Sequence, residues 1–127
     1  MSQVVVRNDQ RGTTLGTSVA VADTWLARLR GLLGRPELRA GQGLLLQPCN
    51  AVHMLGMRYP IDVVFTDRSG VVIAVYSGLM PRRRTRLHRA AHVAVELPAG
   101  TLDASGTVVG DQLRWTHAEP PGKELAG

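Results

Sequence analysis

The chain of 127 residues is poor in the residue types that would fix its chemistry early. It has one cysteine, Cys49, so no internal disulfide can form, and a reducing compartment suits it. Aromatic residues make up only 4%, which leaves a core to be built from Val, Leu, Ile and Ala. Lys123 is the only lysine, so the net charge of +5 is carried by arginine. No apolar run approaches the ~18 residues of a membrane-spanning helix. The N-terminus, Met1-Ser2-Gln3-Val4-Val5-Val6-Arg7, lacks the apolar stretch of a secretion signal. A cytoplasmic protein with no membrane partner is expected. Neither a Gly-x-Gly-x-x-Gly nor a Walker pattern occurs, so no cofactor is expected.

What is present is enough for one domain. Hydrophobic residues are 44% of the chain, and a chain of this length can bury a core without staples. Residues 3–7 and 17–22 read as a hairpin of β-branched strands around a polar turn. Asp23 or Thr24 can cap a helix, and Trp25, Leu26, Leu29, Leu32 and Leu33 form one apolar stripe. Gly34 and Pro36 end it, so an amphipathic helix is expected over 23–33. Leu44 to Leu46 reads as a buried strand, and 51–55 as a short one.

Residues 61–76 read as a hairpin around Asp67-Arg68-Ser69-Gly70. In it Ile61, Val63 and Phe65 face one way, and Asp62, Val64 and Thr66 the other. A long basic loop, 77–89, precedes a strand over 92–97, with Val93, Val95 and Leu97 on one face and Glu96 on the other. One or two short strands over 106–114 close the domain. The expected fold is α+β: a small, mainly antiparallel barrel or sandwich with one helix from the N-terminal half packed on it. The domain is expected to span 1–116, with 117–127 a frayed tail.

The segment from Cys49 to Asp62 is the densest in chemistry-bearing side chains. Cys49 and His53 are four residues apart and share a face of either a strand or a helix. With Asp62 as third member they would make a thiol nucleophile, its base and its orienting acid. The same three could ligate zinc, but tight ligand pairs are absent and no metal is expected. Asp62 and Glu96 could meet as a carboxylate pair if their strands line one cavity. Arg58 is placed to pair with Asp62. Arg82 to Arg89 holds five arginines in eight residues, including Arg82 and Arg83, which suits oxyanions.

Several spaced motifs agree in order with one family. They are His53-Met54-Leu55-Gly56-Met57-Arg58-Tyr59-Pro60-Ile61-Asp62-Val63-Val64-Phe65-Thr66-Asp67, Glu96-Leu97-Pro98-Ala99-Gly100, Gly110-Asp111, and Gly31-Leu32-Leu33-Gly34-Arg35. Over roughly residues 17–114 the chain resembles domain-of-unknown-function family 192. The resemblance implies a compact, mainly β domain of bacteria and archaea, and no assigned reaction. Many relatives carry Thr where Met54 stands, and Trp near Arg82.

The first expectation is a ligand- or partner-binding module. Its site would use His53, Arg58, Asp62 and Glu96, with Arg82 and Arg83 for an anionic small molecule or protein. The alternative is a small hydrolase or transferase using His53 with Cys49 or Asp62. A third reading is non-specific nucleic-acid binding through Arg82 to Arg89. No aromatic platform accompanies the charge, so nucleic acid is not the expected partner. Whether the chain is an enzyme, and its oligomeric state, are left open by the sequence.

Overall fold

The computed structural model describes residues 2–24, 27, 32 and 36–117. Within these residues the chain runs β1 (Gln3–Asn8), β2 (Thr13–Ala22), β3 (Gln42–Leu46), β4 (Ile61–Thr66), β5 (Val72–Leu79), β6 (Val93–Pro98), α1 (Thr101–Ser105) and β7 (Leu113–His117). The strands form one curled sheet in the order β5-β4-β6-β3-β2-β1-β7. All neighbours pair antiparallel except β2 and β3.

The edge strands meet through a bridge between Val71 and Gln112. Val72 N–H donates to Asp111 O at 2.9 Å, and Gly110 N–H donates to Val72 O at 2.8 Å. The sheet thus closes on itself at one point. Gly70 makes that approach possible. Its φ is +90°, and a Cβ there would stand 2.5 Å from Leu113 O.

The alternation of side chains along the strands builds two cores. Val4, Val6, Leu15, Val19, Val64, Val95, Leu97 and Leu113 fill the inside of the curl. Ile61, Val63, Phe65, Leu44, Leu46 and Ala94 face outward. Val52, Met54 and Tyr59 cover that second face. Strand β4 is therefore buried on both sides along its whole length. Its split of Ile61, Val63 and Phe65 from Val64 is the one expected from the sequence. In β6, Val93, Val95 and Leu97 also fall on the inner face as expected.

Three expectations change. The strand expected over 51–55 is reduced to a single bridge, His53 to Arg84. Strand β7 extends to His117, where fraying was expected to begin. A helix absent from the sequence reading, α1, follows β6. The helix expected over 23–33 lies mostly outside the described residues. Within them, Ala27 N–H donates to Thr24 Oγ1 at 3.2 Å, the bond expected of Thr24 as a cap. The parallel pairing of β2 with β3 requires a crossover between Ala22 and Gln42. The tail 118–127 also lies outside the described residues. No helix of the described residues is long and apolar enough to cross a membrane.

Candidate functional site

Two irregular segments, 50–57 and 80–92, lie side by side over the outer face of the sheet. Their backbones are linked like neighbouring strands. Met54 N–H donates to Arg83 O at 2.7 Å, Thr85 N–H to Val52 O at 2.8 Å, and His88 N–H to Asn50 O at 2.9 Å. Around the His53–Arg84 bridge the chain is extended, and side chains alternate over 52–54 and 84–86. Val52, Met54, Thr85 and His88 turn inward and are buried. His53, Arg84, Arg86 and Leu87 are exposed.

His53 and Arg84 are direct cross-strand partners, so their side chains leave from one face a few ångströms apart. Arg86 follows two residues on, along the same face. Together with Ala51, Val52, Thr85 and Leu87 they line an open cleft of about 570 Å³. Thr85 fixes the geometry from below. Its Oγ1 accepts the Val52 N–H at 3.0 Å and donates to Arg86 O at 3.0 Å.

The basic segment is anchored by His88. Its ring nitrogen Nε2 lies 2.7 Å from the Tyr76 hydroxyl. The ring also packs on Phe65, with centroids 4.8 Å apart. Burial, and to a smaller extent the charge of Arg86, push the His88 pKa below the usual imidazole range. Arg82, at the turn where the segment begins, takes φ of +70°, a backbone region that non-glycine residues rarely adopt.

None of Arg82, Arg83, Arg84, Arg86 and Arg89 has an acid partner among the described residues. The two ion pairs there are Arg11 with Asp111 and Arg114 with Asp9, on other parts of the sheet. Residues 50–58 and 80–92 contain no Asp or Glu at all. The arginines therefore stay fully available to an incoming anion.

The other residues singled out from the sequence are elsewhere. Asp62 pairs with Leu97, and Val63 with Glu96, across the β4–β6 ladder. Opposed residues share a face and successive ones alternate, so Asp62 and Glu96 project from opposite sides of the sheet. The carboxylate pair does not form. Asp62 is 1% exposed. It accepts N–H bonds from Gly78 at 2.8 Å, Gly100 at 3.1 Å and Leu102 at 2.8 Å. It thereby ties β5 and the start of α1 to β4. With these three donors it is a structural carboxylate, and its expected pairing with Arg58 or His53 is not made.

Glu96 is buried on the outer face beside Leu44 and Val63. Burial pushes its pKa up to about 7. Arg58 is exposed and lines a separate cleft of about 580 Å³ with Leu32, Pro36, Glu37 and Tyr59.

Cys49 is partly buried against the outer core, and its thiol lies 3.3 Å from Ala51 O. Asp62 points into the curl behind the sheet, away from both Cys49 and His53. The nucleophile, base and acid expected from the sequence are thus not assembled. No three His, Cys, Asp or Glu residues cluster as metal ligands among the described residues.

Arg84 and Arg86 were hidden inside a run of five arginines. Their signal was parity: they alternate with Thr85, and they share the outward side with each other. Only the partner segment, with His53 opposite Arg84, gives that parity a meaning.

Most of the chain has relatives of known sequence and fold. A UPF0127 protein of Pyrococcus furiosus is 35% identical over 113 residues, covering 87% of this chain and 97% of that protein. A UPF0127 protein of Thermococcus sibiricus is 30% identical over 116 residues, covering 88% of this chain and 75% of that one. A crystal structure of a protein of unknown function from Novosphingobium aromaticivorans superposes with a TM-score of 0.75 at 19% identity, covering 89% of this chain and 84% of that one. That likeness is one of fold. Residues 5–115 match the family DUF192, described as Uncharacterized ACR. The chain therefore belongs to domain-of-unknown-function family 192.

Proposed function

We propose that this domain is an anion-binding module whose site is the cleft between 50–57 and 80–92. One observation carries the reading. His53 and Arg84 oppose each other with Arg86 beside them, in a cleft without a neutralising acid. Arginine forks and an imidazole N–H are donors suited to phosphate, sulfate or carboxylate oxygens. The left-handed Arg82 adds support, because strained backbone tends to be held where function needs it. Arg82 and Arg83 would extend the positive field around the cleft.

The enzyme reading has less support, since its three groups occupy different places. Nucleic-acid binding lacks an exposed aromatic platform on the two segments.

The test is a map. Amide NMR spectra of the full chain are followed as inorganic phosphate is added at low salt. Shifts confined to residues 51–54 and 82–88 support the site. Shifts that are absent, or that gather around Arg58 or Arg114, reject it.

A further inference from the structure

We propose that the anions this site meets are the headgroups of an anionic lipid surface, on which the two segments dock by charge and by shallow insertion. The inference rests on the anion-binding reading and names its partner. The observation behind it concerns apolar side chains. Five large hydrophobic residues are strongly exposed among the described residues: Leu55, Met80, Leu87, Val108 and Val109. Three of them lie on the two paired segments, Met80 and Leu87 on the one that carries the arginines and Leu55 on its neighbour. Leu55 is 70% exposed, Met80 56% and Leu87 52%.

Their placement is ordered. Met54 O accepts N–H bonds from both Met57 and Arg82, and Met80 O accepts one from Arg83. The two turns that hold Leu55 and Met80 therefore meet at one end of the paired segments, beside Arg82 and Arg83. Leu87 stands on the cleft itself, with His53, Arg84 and Arg86. The surface is thus basic and apolar at once, with no acid within either segment.

Such a mixture matches the boundary between lipid headgroups and acyl chains. Anionic headgroups attract arginines near the surface, and exposed leucines bury their side chains just beneath. The Arg82 to Arg89 guanidiniums are held by no acid of the described residues, which suits a fluid surface better than a folded partner with fixed acceptors. No membrane span is needed for this contact, so the short apolar runs of the sequence do not oppose it.

The experiment is sedimentation of the full chain with vesicles of phosphatidylcholine alone and with vesicles of phosphatidylcholine mixed with phosphatidylserine. Wild type is compared with Leu55→Asn, which lies outside the cleft, and with Arg84→Gln/Arg86→Gln. Binding is expected on the mixed vesicles only, and to weaken steeply with salt. The leucine variant should bind them about tenfold more weakly, by loss of an inserted side chain. Its phosphate-induced NMR shifts should match wild type, because Leu55 is exposed and lies outside the cleft lining. The arginine variant should lose both vesicle binding and phosphate shifts.

If phosphate shifts persist but no vesicle binding occurs, the lipid inference falls and the anion site stands. If both are absent, both readings fall. Equal vesicle binding by wild type and the leucine variant overturns insertion. Tighter capture of an acidic peptide than of mixed vesicles overturns the choice of partner.

Discussion

Asp62 and Glu96 sit one register step apart on neighbouring strands and meet opposite fates. Asp62 faces inward and satisfies three backbone N–H groups. Replacing it by Ala leaves those buried donors unpaired, so Asp62→Ala should cost about 3 kcal/mol or more in urea unfolding. Asn keeps one acceptor and should lose less. Glu96 faces the outer core with its pKa raised to about 7. A carboxyl held neutral by burial binds its proton more tightly folded than unfolded. The stability it allows is whole below pH 4.5 and declines as pH rises through about 7. Glu96→Gln should flatten that decline and raise stability at pH 8 by roughly 3 kcal/mol, at 1.4 kcal/mol per tenfold change in proton affinity. Both carboxylates were conspicuous in the sequence. Their separation was not, because it depends on the β4–β6 register, which pairs Asp62 with Leu97 rather than with Glu96.

Most elements were legible where side chains alternate strongly. The hairpin of β4 and β5 and the strand β6 follow the period of two seen in Ile61 to Thr66 and Val93 to Leu97. The helix α1 was not legible. It has five residues, too few for a period of 3.6, and is bounded by Gly100 and Gly106, both left-handed. Its start is held by Asp62, nearly forty residues away in sequence. The segments 50–57 and 80–92 were read as a short strand and a loop, and only their mutual pairing makes them a surface.

That surface depends on the contact of His88 with Tyr76 and Phe65. The lowered pKa of His88 means that the neutral ring belongs to the folded arrangement. Its contribution is present above pH 6.5 and lost as pH falls through the lower folded value. Hydrogen exchange of the Thr85 and Met54 amides, corrected for intrinsic rates, should therefore accelerate on acidification. Phe in place of Tyr76 should give the same acceleration at neutral pH. Unchanged protection in both cases would show that the anchor lies elsewhere.

At the scale of the whole molecule, the motifs that marked the family are mostly points of assembly. Asp67 Oδ1 accepts the Ser69 and Val71 N–H groups, shaping the β4–β5 turn. Gly110 and Asp111 join β5 to β7. The Asp111 carboxylate takes hydrogen bonds from Asn8, Arg11 and the Val108 N–H, which hold its pKa low. Motif order in the sequence thus reported the fold faithfully and the proposed binding surface only in part, since of its residues His53 lies in a motif and Arg84 and Arg86 lie outside them. Closure has its own test. Gly70→Ala would place a Cβ against Leu113 O in a conformation that disfavours it. It should lower the unfolding midpoint and cost about 2 kcal/mol or more, with hydrogen-exchange protection lost first at Val72 and Leu113.

The central claim is that His53, Arg84 and Arg86 form an anion site. Its most direct test is the phosphate affinity of Arg84→Gln/Arg86→Gln beside that of Arg7→Gln/Arg114→Gln, two variants of equal net charge. The account predicts at least about a tenfold loss for the first, as expected for removing charge-assisted bonds, and little change for the second. Equal losses in the two would mean that the chain attracts anions by overall charge alone, and would contradict a site.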